Sequence, residues 1–157
     1  MPTTYAHDLF GKRVYRKLSA KLQHLIRSNG NLYRIGQHGP DILFYYFISK
    51  NPATQYGVQM HGRKAREFFE KGMAKVREEK NPALMAHLLG FGCHYILDST
   101  CHPYVNQVAA EGKISHTLFE KEFDRMLMYE TGKDPLRFYP SHGIRASFLS
   151  AWTIHQV

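Results

Sequence analysis

Apolar side chains recur at intervals of three and four along most of this chain, and strict alternation is scarce, so the pattern predicts helices rather than strands. From about Tyr5 to Ser28 the positions Leu9, Phe10, Val14, Leu18, Leu22, Leu25 and Ile26 line one or two helices, which Ser28-Asn29-Gly30 closes. A loop is expected next, and then a short aromatic helix from Ile42 to Ile48. Gly39-Pro40-Asp41 opens that helix, with Pro40 suited to a first turn. After a break at Asn51-Pro52-Ala53-Thr54, one long amphipathic helix from about Gln55 to Glu79 carries Val58, Phe68, Phe69, Met73 and Val76. Asn81-Pro82 caps the following helix. Leu84, Met85, Leu88, Leu89, Phe91, Tyr95, Ile96 and Leu97 spread nearly all the way round it, the mark of a buried helix. It is expected to end near His102, because Pro103 clashes with the carbonyl four residues back and disfavours helical geometry in its predecessor. Ser115 caps a helix to about Tyr129, closed by Thr131-Gly132, and Ser141 starts a last one through Trp152. The fold class is all-α, a single-domain helical bundle over residues 1–157.

The polar positions inside that pattern are where the chemistry gathers. His94, Asp98 and His102 follow one another at four-residue spacing in the most apolar helix, and His116 and Glu120 repeat the spacing on the next. Four residues is a little over one turn, so each pair shares a helix face. A carboxylate and two imidazoles buried without partners would cost several kcal/mol, so the stripe needs either an internal hydrogen-bond network or cations. The expectation is a polynuclear metal site inside the bundle. Imidazole and carboxylate donors without thiolates suit zinc; iron or manganese is less favoured. Two ions about 3.5 to 4 Å apart can hold both oxygens of an in-line phosphoryl displacement, which makes phosphodiester hydrolysis the natural reaction class.

Composition narrows the class without changing it. With 43% hydrophobic and 22% charged residues, the 157-residue chain is a globular domain rather than a disordered one. No run is long and apolar enough for a membrane span, and the start, Met1-Pro2-Thr3-Thr4, does not read as a secretory signal. Cys93 and Cys101 lie about 12 Å apart along one helix, too far for a disulfide, and read as core thiols. These features give a cytoplasmic expectation. A net charge of +8 favours an anionic partner. Gly90 and Gly92 cost about 1 kcal/mol each in a helix and imply a close neighbour.

The run His94-Tyr95-Ile96-Leu97-Asp98-Ser99-Thr100-Cys101-His102-Pro103-Tyr104, with His116-Thr117-Leu118-Phe119-Glu120 after it, resembles the zinc-dependent phospholipase C family, of which the single-strand-specific nucleases are fold relatives. The resemblance implies a helical bundle around two or three Zn2+ ions. It implies that His94 and Asp98 hold the first zinc, Asp98 bridging to a third, with His61 as that zinc's remaining histidine. Asp41 is then its second carboxylate or the catalytic base. His102, His116 and Glu120 hold the second zinc, and His7 the third. The chain departs from the pattern in a shorter spacing from Asp98 to His102 and in lacking an N-terminal tryptophan; a Pro2 amine could stand in for it if Met1 is removed.

The expected activity is zinc-activated water acting on a phospholipid or other small phosphodiester, with peripheral membrane contact admitted. One alternative is a single-strand nuclease-like phosphodiesterase, which the positive charge permits although no aromatic and basic interleaving tracks a strand. The other is a metal-binding interaction module without turnover. His24, His38, His142 and His155 read as surface or loop residues, and His87 as a core residue or one orienting a ligand. Asp124, one turn beyond Glu120, reads as a neighbour of the site or a solvated charge. Phe44-Tyr45-Tyr46-Phe47 reads as core first and as a choline pocket second.

Overall fold

A computed structural model describes residues 4–45 and 51–156 of the chain. Its helices are α1 Thr4–Lys17, α2 Ala20–Ser28, α3 Gly30–Gln37, α4 Pro52–His61, α5 Arg66–Glu79, α6 Pro82–Ala110, α7 His116–Glu130 and α8 Phe148–His155. Short 3-10 segments occupy Gly39–Tyr45 and Pro140–Gly143, and no strand occurs among the described residues. The all-α class is therefore what the chain adopts.

Helix starts follow side-chain chemistry. Ser19, Asn51, Asn81, Ser115 and Ser147 each accept from the amide three residues on, opening α2, α4, α6, α7 and α8. Each satisfies a donor that the first turn leaves without a partner. The last helix thus begins after Ser147 and not after Ser141, which lies in the second 3-10 segment.

Four further expectations are corrected. The stretch after Gly30 is helix α3 rather than loop, because Leu32, Tyr33, Ile35 and Gly36 bury against α6 and tertiary packing outweighs a weak local signal. The helix expected over Gln55 to Glu79 is two, α4 and α5, parted at Gly62 to Ala65. The amphipathic period runs on across that turn, so the break is hidden from it. Only Gly39–Tyr45 of the aromatic segment is helical in the described residues, as 3-10; residues 46–50 lie outside them.

The fourth correction is Pro103. It sits inside α6, which runs unbroken past His102 to Ala110. Proline in a helix interior costs one backbone bond and some 3 kcal/mol, which the packing of α1, α3, α5 and α7 around α6 offsets. Burial of α6 is also uneven. Leu84, Ala86, Leu88 and Phe91 are in the core, whereas Tyr95 and Ile96 are 44% and 56% exposed, so the apolar surround encloses mainly the first half, with Val105 buried in the second.

The core joins Ile26, Tyr33, Ala86 and Cys93, with Phe10, Val14 and Leu89 packed against them. Tyr33 donates its hydroxyl hydrogen to the Gly11 carbonyl at 2.9 Å and lies 3.4 Å from Cys93 Sγ. Both cysteines are free thiols. The closest approach is α3 across α6. A Cβ on Gly36 would fall 2.2 Å from the His87 carbonyl oxygen, and one on Gly90 would fall 2.1 Å from that of Tyr33. The close neighbour inferred for Gly90 is thus α3. Gly92 meets nothing nearer than Phe69 at 3.9 Å, so the same inference fails there.

Candidate metal centre

All eight residues singled out from the sequence converge on one region, carried by α1, the first 3-10 segment, α4, α6 and α7. Three groups of donor atoms lie within 4.8 Å of one another: His7 with Asp41 and His94, His61 with His94 and Asp98, and His102 with His116 and Glu120. His94 belongs to two of them. The division differs from the one the resemblance implies, in that Asp41 groups with His7 and His94, whereas His61 and Asp98 share His94 in a second group.

Asp98 is the hub. Its Oδ1 lies 3.2 Å from His7 Nε2 and 3.9 Å from His102 Nε2, and its Oδ2 lies 3.3 Å from His94 Nε2. Glu120 Oε1 lies 2.8 Å from His116 Nε2 and 3.2 Å from His102 Nε2. Tetrahedral zinc with bonds of about 2.1 Å spaces its ligand atoms about 3.4 Å apart. Several of these separations match that spacing better than they match a short charged hydrogen bond.

The outer contacts also fit. His61 donates from Nδ1 to the Gly57 carbonyl at 2.7 Å, which turns Nε2 toward Asp41 Oδ1 at 2.9 Å. His116 Nδ1 bonds Asn106 Oδ1 at 2.9 Å, which turns its Nε2 inward. A ligand histidine normally commits its other nitrogen in this way. His7 Nδ1 is buried without a hydrogen-bond partner. The residues therefore fit a divalent metal.

Electrostatics separate the donors into two kinds. Burial, reinforced by the charge of His7, drives His94 down to about 3, so it stays a neutral imidazole, as a ligand must be. Burial pushes the Asp41 carboxyl up despite the hydrogen bond from His61, while that same bond raises His61. For Asp98, burial favours the neutral form, but the hydrogen bond from His7, helped by the other imidazoles around it, outweighs it and holds the carboxyl below its usual range. Glu120 is depressed in the same manner, with burial opposed and overcome by His102 and His116.

Local sequence explains the placements. Gly39 takes φ of 48° and lets the chain pass so close to α6 that a Cβ there would lie 2.3 Å from His94 Cδ2. Asp41 then follows, its amide held by the His38 carbonyl at 3.0 Å. Contrary to the surface or loop reading, His38 is 2% exposed, and burial with the nearby His7 lowers it to about 4. Its position just ahead of Gly39-Pro40-Asp41 was the available signal. Asp124 is no solvated charge either. Its buried carboxylate accepts from the Tyr5 and Ala6 amides at 2.9 and 2.7 Å, tying the start of α1, and hence His7, to α7. His87 is a core residue with a backbone hydrogen bond to Leu32. His24, His142 and His155 are exposed as expected. Phe44 stacks on His61 at 5.5 Å between ring centres. The Pro2 amine and Phe47 lie outside the described residues.

Over the donors opens a cleft of about 930 Å³ whose lining includes His61, His94, Asp98 and His102. No helix among the described residues is long and apolar enough to cross a membrane. No curated protein and no solved structure matches the chain. The family model for zinc-dependent phospholipase C matches residues 6–156, nearly the whole length, which supports zinc as the metal and a phospholipase-like hydrolytic function. A bundle whose histidines and carboxylates converge under a cleft, matched by that model over residues 6–156, belongs to the zinc-dependent phospholipase C family.

Proposed function

We propose that the chain is a zinc-dependent phosphodiester hydrolase that acts on a phospholipid or another small phosphodiester. The observation that supports it best is the convergence of three donor groups beside one open cleft, each group with at least one member on the cleft lining. His7, Asp41, His61, His94, Asp98, His102, His116 and Glu120 would hold two or three zinc ions. Bound zinc supplies Lewis acidity toward phosphoryl oxygens and an activated water near neutral pH.

The chain's own groups do the rest. The Gly57 carbonyl and Asn106 fix the ring orientations of His61 and His116, so little reorganisation is needed when substrate arrives. Phe91 and Phe44 pack beside His94 and His61 and limit water at that end of the centre. Asp41 has two alternative roles: it would either hold zinc or, as a carboxyl made more basic by burial, accept a proton from attacking water. Two free thiols suit a reducing compartment and support a cytoplasmic setting.

Elemental analysis of protein purified without added metal, paired with hydrolysis of a chromogenic phosphocholine ester and of single-stranded DNA, tests the reading. Two or three zincs with cleavage of the ester are expected. Cleavage of DNA alone would make the chain a nuclease, and zinc without turnover a binding module. Asp98→Asn should lose most activity and bound zinc while the circular dichroism of the fold is kept; a fully active variant would refute the assignment.

A further inference from the structure

The cleft is uneven in charge. On one side it is lined by the turn between α4 and α5, where Arg63 and Lys64 follow closely on His61. Two more cations, Arg66 and Lys71, line the same space but are matched: Arg66 Nε lies 2.7 Å from Glu70 Oε1, and Lys71 Nζ lies 2.6 Å from Glu67 Oε1. Arg63 and Lys64 form no ion pair among the described residues, although Arg63 acts on Glu67 at longer range. Two uncompensated positive charges therefore stand at the cleft, beside a floor built to hold more.

We propose that Arg63 and Lys64 select a phosphodiester whose headgroup carries a second anionic group, a phosphate or a carboxylate, over one with a choline-like cation. The proposal rests on the hydrolase reading above and adds its substrate class. A quaternary ammonium in this cleft would face two like charges, the nearby carboxylates Glu67 and Glu70 being paired already with Lys71 and Arg66. An extra phosphate would accept charge-assisted hydrogen bonds from both side chains, and the planar guanidinium of Arg63 matches two phosphate oxygens at once. A concave, partly apolar cleft also strengthens the attraction by focusing the field. Tyr56 and Tyr95 line the cleft and are about half exposed, so they offer rings to an ammonium, and the two cations must outweigh them. Other rings are engaged elsewhere. Phe44 stacks on His61 at 5.5 Å, and Phe68 lies against Phe91 with ring centres 4.3 Å apart.

Titration calorimetry with short-chain, monomeric lipids tests the proposal, on metal-free and zinc-loaded protein alike. Dioctanoyl phosphatidylinositol 4-phosphate should bind about tenfold or more tighter than short-chain phosphatidylcholine at about 0.1 M salt, and the margin should shrink as salt rises. The double variant Arg63→Gln/Lys64→Gln should bring the two affinities within about twofold. Lys21→Gln/Arg27→Gln, which removes the same charge from exposed positions on α2, should keep the preference. Deacylated glycerophosphoinositol 4-phosphate separates the sources: affinity equal to that of the lipid assigns a soluble diester, and weaker affinity assigns a lipid. Equal binding of the choline lipid, or a preference that survives the double variant, would overturn the proposal. Selective binding without hydrolysis by zinc-loaded protein would sink the hydrolase reading and leave this one standing. Hydrolysis of both lipids without selective binding would do the reverse.

Discussion

Gly39 shows how one residue can fix the geometry of a donor. It combines a left-handed φ of 48° with an approach to the His94 ring that would put a Cβ 2.3 Å from Cδ2. Alanine here is strained in its backbone and must also push the imidazole aside. Because His94 serves two donor groups, its displacement by about 1 Å should lower hydrolytic activity roughly a hundredfold. Zinc per chain, measured by elemental analysis beside the rate, should fall in Gly39→Ala even where thermal unfolding stays cooperative. A variant with full zinc content would mean that the ring relaxes freely.

At the scale of elements, the crossing of α3 over α6 and the strut from α7 to α1 carry the site. Ala at Gly90 would meet the Tyr33 carbonyl, a backbone atom that cannot swing away. Gly90→Ala should therefore cost about 3 kcal/mol. Gly92→Ala has room and should be neutral or stabilising by up to about 1 kcal/mol through helix propensity. Urea midpoints of the two variants give opposite signs if this packing is right. Asp124 is the strut: Asp124→Ala should lose about 1 to 3 kcal/mol and bind zinc more weakly, because both amides it accepts from lie at the start of the helix bearing His7. Asp124→Asn, which keeps one oxygen, should fall between parent and Ala in both readouts.

The sequence made the four-residue stripes legible because a helix converts spacing directly into a shared face. His94, Asp98, His116 and Glu120 needed nothing beyond that periodicity to be noticed. His7, His61 and Asp41 had no such pattern and entered only through resemblance. His38 and the role of Asp124 were hidden, since each depends on which distant helix comes to lie over it. The turn at Gly62 to Ala65 escaped notice because the apolar period continues across it. Pro103 misled, because a local rule about helix interiors yields to packing from several neighbours.

Across the whole molecule, buried neutral histidines couple stability to pH. His87 is pushed down to about 4 by burial, against 6.5 unfolded. Below pH 6.5 the unfolded chain takes up a proton that the folded one refuses, so the contribution of His87 is whole above that value. It should fall by about 1.4 kcal/mol per pH unit down to about pH 4. Urea unfolding of metal-free protein at several pH values, compared between parent and His87→Leu, should show a shallower decline for the variant. Parallel declines would mean that His87 is solvated. The same molecule-wide view gives α6 a further meaning. Since one continuous rod presents His94, Asp98 and His102 to different partners, the distance between the two ends of the centre is metered by helical rise, about 12 Å from His94 to His102. Adding or deleting a single residue in that interval would swing His102 by about 100° off Glu120. Changes of length can therefore be accepted at the turns of this chain but not between those three side chains.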